Sequence, residues 1–88
     1  MQELIHDCTS IKVSAYTNGF CGGDSAHGCR TLISLGDAGG SDIGFIVDGS
    51  TIKITAAGDS ELKTLYKAIK FIKFALEYYE PKLKEKEI

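Results

Sequence analysis

The feature that constrains the fold most is the dipeptide Asp48-Gly49, which separates two segments rich in β-branched residues. Such segments are typical of strands, and Asp-Gly tolerates the positive φ angles that a two-residue hairpin turn requires. The sequence therefore predicts a hairpin of residues 43–48 with 50–56, in which Val47 faces Ser50. This register places four large apolar side chains on one face of the hairpin: Ile43, Phe45, Ile52 and Ile54.

Two further strands are predicted upstream. Residues 11–16 alternate apolar and polar side chains, and this alternation is the period of a strand with one buried face. Residues 31–35 form the next short strand, and a turn-rich segment, 36–42, follows it. The sequence leaves open whether residues 4–9 extend the first strand or lie apart from it. The inward-facing residues of the first strand are expected to be Ile11, Val13 and Ala15.

An amphipathic helix is predicted to begin after Gly58. Asp59 and Ser60 offer capping oxygens to its first N–H groups. The helix is expected to last to about Glu80, because Pro81 cannot continue the hydrogen-bond ladder. Apolar residues recur along it at three- and four-residue steps, which predicts one stripe that covers the sheet. The stripe consists of Leu62, Leu65, Tyr66, Ile69, Ile72, Leu76 and Tyr79.

The order of four strands followed by one helix, with short links, predicts an α+β fold of two layers. Its sheet is expected to be a four-stranded antiparallel β-meander, covered on one face by the C-terminal helix. A chain of 88 residues has room for one modest core, so 1–80 is predicted to be a single domain. The charged tail, 81–88, is expected to be frayed.

Length, charge and cysteine count limit the classes of function. No apolar run reaches the length of a membrane span, and the polar start lacks the order of a signal peptide. Three cysteines are too few for a disulfide framework, so a cytoplasmic protein is predicted. A sequence pI near 5.6 does not favour direct binding to nucleic acid, and no membrane binding is predicted.

Charge is unevenly distributed along the chain. Residues 1–60 hold seven acids and three bases, whereas 61–88 hold seven lysines and five glutamates. Acidic turns complement a basic surface on a partner. The charge split therefore favours a protein partner, engaged in part through the acidic residues Asp37, Asp42 and Asp48.

A second apolar set on the helix predicts self-association. Phe71, Phe74 and Tyr78 fall within roughly 60° of one another on a helical wheel, opposite the predicted sheet-facing stripe. Lysines, including Lys67, border this set, and exposed aromatic patches of this kind mark association sites. A twofold homodimer through these four residues is therefore predicted. The alternative is that another part of the chain wraps round and covers the rings.

The glycine-rich segment 18–30 has several interpretations. Its four glycines let successive N–H groups converge on an anion, with His27 and Arg30 as side-chain donors. Alternatively, the glycines make tight bends, with Asn18 and Asp24 bonding the local backbone. Zinc binding draws on Cys21, Asp24, His27 and Cys29, but the cysteine spacing lacks the close pairs of structural sites. No metal or other cofactor is therefore predicted.

No set of catalytic residues is recognisable. A pair such as Cys21 and His27 suits nucleophilic catalysis, but it has no third group to orient it, so no enzymatic activity is predicted. The sequence instead predicts a small non-enzymatic binding or inhibitor protein. An alternative is a module that binds or sequesters a phosphate or nucleotide. The predicted contact residues are Asn18, Phe20, Asp24, His27, Arg30, Asp37 and Asp42.

In its general character the chain resembles small phage-encoded accessory proteins. The likeness lies in a lone domain with a glycine-rich loop, an acidic sheet region and no catalytic set. Some accessory proteins of this kind block host defence systems by binding an effector, and others sequester a nucleotide signal. The resemblance implies an anti-defence role as a class of function and assigns no role to any single residue.

Overall fold

The computed structural model describes residues 1–7, 9–20, 28, 30–39 and 43–85 of the chain. Five strands precede two helices. The strands are β1 (Gln2–Asp7), β2 (Thr9–Thr17), β3 (Thr31–Gly39), β4 (Ile43–Asp48) and β5 (Thr51–Ala56). The helices are α1 (Asp59–Tyr79) and α2 (Lys82–Glu85).

The fold is α+β with antiparallel strands, as predicted, but the strands form two sheets. β2 lies between β1 and β3 in a three-stranded sheet, while β4 and β5 form a separate two-stranded ribbon, the β4–β5 ribbon. The prediction of a single four-stranded meander is therefore wrong. Residues 4–7, whose placement the sequence left open, belong to β1, which is a strand separate from β2. Ile43, at the start of the ribbon, packs in the same buried cluster as Ile11 and Val13 of β2.

The hairpin is confirmed, but its register differs by two residues. Val47 pairs with Ile52 and Asp48 with Thr51, so Gly49 and Ser50 form the turn. Gly49 has φ 61°, a left-handed conformation that glycine adopts without steric cost. Since side chains alternate with a period of two, the shift leaves every residue on its predicted face.

The core lies between the three-stranded sheet and α1. Ile11, Val13 and Ala15 of β2 are buried, as predicted. They face a row of small buried residues on the helix, which are Thr64, Ala68 and Ala75. Small side chains let the helix backbone approach the sheet closely. The core is completed by half-buried side chains from several elements: Ile5, Leu35, Phe45, Ala56, Leu65, Phe71 and Ile72.

The helix is rotated relative to the predicted orientation. Leu62, Tyr66 and Ile69 of the predicted stripe are exposed, whereas Phe71, assigned to the opposite side, packs against the core. The reason is that the smallest residues, and not the largest, take the centre of the contact. The large side chains consequently lie along the two flanks of the helix.

The ends of α1 also differ in detail from the prediction. Gly58 is the N-cap residue, so the cap position itself has no side-chain oxygen, and Asp59 and Ser60 lie within the first turn of the helix. The helix ends at Tyr79, close to the predicted end, and α2 forms one short turn within the tail. Among the described residues, no helix is both long and apolar enough to cross a membrane.

Candidate functional site

Part of the predicted partner-binding set comes together where the glycine-rich segment leaves and rejoins the three-stranded sheet. β2 ends and β3 begins at this end of the sheet, and the Asn18 N–H donates to the Arg30 carbonyl at 3.2 Å. The C-terminal end of α1 and the start of α2 lie against the same end of the sheet. We call this region the loop-base site. It comprises Thr17, Asn18, Gly19, Phe20, Arg30, Thr31, Leu76, Glu80 and Leu83.

Asn18 holds the two ends of the segment together. Its side-chain amide donates to the Gly28 carbonyl at 2.7 Å, and its amide oxygen accepts the Arg30 N–H at 2.8 Å. Both polar atoms of the side chain are thus used within the chain. This is the local backbone-bonding role that the sequence offered as one of two interpretations for Asn18. Here Asn18 is a positioning residue.

Glu80 fixes the position of Phe20. Its Oε1 accepts the Phe20 N–H at 2.8 Å, across 60 positions of sequence. The Phe20 side chain remains 50% exposed. Sequence reasoning missed Glu80, although one signal was present: an acid at a helix C-terminus opposes the helix dipole, and no basic residue occupies the last turn. An acid kept at an unfavourable position points to a tertiary contact.

An apolar pocket of about 160 Å³ adjoins Phe20. Thr17, Thr31, Leu76 and Leu83 contribute to its lining. The Thr17 hydroxyl oxygen accepts from the Gly19 N–H at 3.1 Å and from the Thr31 hydroxyl at 2.9 Å. These bonds hold the first turn of the segment against the sheet. The Thr17 hydroxyl is thus bonded within the protein, and the lining of the pocket is mainly apolar.

The hydrogen bonds at this site bear on the predicted anion nest, the arrangement in which successive N–H groups of the glycine-rich segment converge on an anion. The N–H groups of Gly19, Phe20 and Arg30 each donate to a protein side chain. A nest requires such groups to converge on a ligand. Of the glycines expected to contribute N–H groups, Gly19 is thus engaged within the protein, and Gly22 and Gly23 lie outside the described residues.

The other predicted site residues are spread across the chain. Asp24, His27, Asp42 and the three cysteines lie outside the described residues. Asp37 is exposed within β3, opposite Ile11, because β3 runs four residues beyond its predicted end. Of the predicted dimer residues, Phe74, Tyr78 and Lys67 are exposed, and Phe71 contributes to the core.

A second, wider concavity of about 540 Å³ lies on the face of the sheet that carries Leu4, Lys12 and Ser34. The hydroxyls of Ser14 and Ser34 bond each other across the sheet. Lys12 is the one cation in the described lining, beside the exposed side chain of Leu4. This open face therefore places an exposed apolar side chain next to a cationic one.

Within the described residues, no three His, Cys, Asp or Glu side chains form a group that could hold a metal ion. Comparisons with protein-family models, curated proteins and solved structures find no match for this chain.

Proposed function

We propose that this chain is a small non-enzymatic binding protein that engages a protein partner at the loop-base site. The observation that carries the proposal is the position of Phe20. Its backbone is anchored by Glu80, yet half of its side chain faces solvent beside an apolar pocket. An exposed aromatic side chain beside an apolar pocket is a common anchor of a protein interface.

The size and chemistry of the pocket favour a protein over a free small ligand. Pockets for small molecules span about 300–1,000 Å³, whereas this one is about 160 Å³, enough for one apolar side chain of a partner. The Glu80 carboxylate lines it and repels a phosphate. Arg30 adds a residue type enriched at the energetic centre of interfaces.

The proposed consequence of binding is inhibition of the partner. Binding at a partner's surface blocks that surface to other molecules, and the resemblance to phage accessory proteins favours this mode of action. The acidic residues of the N-terminal part direct the choice of partner towards a basic surface. The exposed Asp37 and Asp48 belong to this acidic set.

The proposal is tested by affinity isolation with quantitative mass spectrometry, using extract of the cells that carry this chain. Phe20→Ala removes the anchor, and Phe74→Ala is the matched control, since Phe74 is similarly exposed on a flank of α1. We expect a partner that the wild type and the control retain and that Phe20→Ala loses at least tenfold. Equal recovery with all three proteins contradicts the proposal. Circular dichroism confirms that both variants are folded.

A further inference from the structure

The side of α1 that faces away from the sheet carries a row of lysines. Between Leu62 and Leu76 the helix has no acidic residue. The basic residues of this stretch recur at three- or four-residue steps and are all exposed: Lys63, Lys67, Lys70 and Lys73. Such steps place side chains on one side of a helix, with neighbours about 5–6 Å apart. We call this row the lysine ridge.

Large apolar side chains accompany the lysine ridge. Five of them are 54% to 65% exposed: Leu62, Tyr66, Ile69, Phe74 and Tyr78. At about 100° per residue, Tyr66 and Phe74 lie within the arc of the lysines, and the other three border it on both sides. The Lys70 Nζ lies 5.5 Å from the centre of the Tyr66 ring, which is a cation–π distance. We call the ridge and these five side chains the outer face of α1.

This surface is exposed because of the orientation of α1. The sequence predicts that the sheet covers the largest apolar side chains of the helix, and on that basis it predicts no membrane binding. In the structure the small residues take that place, so Leu62, Tyr66 and Ile69 stay exposed beside the lysine ridge. The apolar surface that membrane binding requires is therefore present on the same face as the positive charge.

We propose that the outer face of α1 binds the surface of an anionic phospholipid bilayer. A basic helical face that also carries apolar and aromatic side chains is typical of helices that lie in a membrane interface. The lysines contact headgroup phosphates, the aromatic rings lie at headgroup level, and Leu62 and Ile69 enter the boundary of the acyl chains. Each lysine near an anionic bilayer raises the partition coefficient about fivefold, so the four together contribute on the order of several hundredfold.

Other partners fit this face less well. Single-stranded nucleic acid binds in positively charged grooves, whereas the outer face of α1 is a convex ridge that meets a flat surface along its length. Leu62 and Ile69 offer no stacking face to a base. Lysine is depleted at protein interfaces, and in a twofold helix pair the lysine ridges of the two copies repel each other. A bilayer uses both the charge and the aliphatic side chains, and this surface shares no residue with the loop-base site.

The test measures co-sedimentation of the full chain with vesicles of phosphatidylcholine, either alone or with phosphatidylserine as about one third of the lipid. Lys63→Gln with Lys70→Gln neutralises half of the ridge, and glutamine keeps the helix propensity of lysine. Lys12→Gln with Lys53→Gln is the matched control, since it removes the same charge from exposed residues of β2 and β5. We expect the ridge variant to lower the partition coefficient for anionic vesicles roughly 30-fold, and the control to leave it within about threefold of wild type.

Tryptophan fluorescence gives a second measurement that locates the contact. The chain has no tryptophan, so Tyr66→Trp and Tyr16→Trp each introduce a single reporter. Tyr66 lies on the outer face of α1, whereas Tyr16 is a partly exposed residue of β2. Brominated lipids quench a tryptophan that enters the bilayer. We expect them to quench the emission of Tyr66→Trp and to leave that of Tyr16→Trp unchanged.

Three vesicle results overturn the proposal: no binding to anionic vesicles, equal binding to neutral and anionic vesicles, or an equal effect of the two glutamine pairs. Two results without vesicle binding also overturn it and assign the face to another occupant. Binding of a fluorescent single-stranded oligonucleotide that the ridge variant loses assigns the face to nucleic acid. A dimer in light scattering that the ridge variant strengthens assigns it to a second copy of this chain.

Discussion

Replacing Thr64 by valine is expected to stabilise the protein, because this threonine has a buried hydroxyl that no described residue bonds. Thr64 is 0% exposed in the row of small residues that faces the sheet, and its Oγ1 has no hydrogen-bond partner there. Valine has nearly the same shape and helix propensity. The substitution therefore exchanges an unsatisfied polar atom for a methyl group in the same space.

The expected gain follows from the cost of burying an unpaired hydroxyl, which is about 1–3 kcal/mol in mutational data. Taking about 1–2 kcal/mol of that as recoverable, the melting temperature should rise by about 5–10 °C for a chain of this size. The urea midpoint should rise by roughly 0.5–1 M with an unchanged slope. Both are measured at one fixed protein concentration, because self-association makes apparent stability depend on concentration.

Thr64→Ser is the matched control. It keeps the hydroxyl and removes the methyl group, so it should lower the free energy of unfolding by about 1 kcal/mol. If valine is no more stabilising than serine, the hydroxyl is paired in solution. The close approach of α1 to the sheet at this position is then not as described.

Three further predictions concern the turn, the segment ends and the ligand. Gly49→Ala should lower the free energy of unfolding by about 1 kcal/mol, since its φ is left-handed, whereas Gly36→Ala, where a Cβ meets nothing within 4 Å, should be neutral or stabilising in the same urea titration. Asn18→Ala should lower the free energy of unfolding by about 1–2 kcal/mol and speed amide exchange at Arg30, because two hydrogen bonds are lost. Unchanged exchange at Arg30 would show that Asn18 does not hold the two ends of the segment together. Inorganic phosphate and ATP at millimolar concentration should not shift the melting temperature, and a shift that Arg30→Ala abolishes would restore the anion-binding alternative.

Local periodicity was sufficient to predict most of the individual elements. The buried face of β2 follows from strict alternation, and the hairpin follows from Asp48-Gly49. Local patterns did not predict how these elements assemble into sheets. Pairing of β4 with β3 was inferred from a short link, but adjacency in sequence does not oblige two strands to share a sheet. The two-residue error in register arose because Asp48-Gly49 and Gly49-Ser50 both suit a tight turn.

The candidate site shows a different limit of sequence reasoning. Asn18, Phe20 and Arg30 were named from their place in a glycine-rich segment, and the structure brings them to one edge of the sheet. Glu80 was missed because its contact with Phe20 spans most of the chain, and no local pattern encodes such a contact. The predicted orientation of α1 was wrong for a related reason. The prediction chose the face with the largest apolar side chains, whereas close packing against β2 favours the face with Ala68 and its small neighbours.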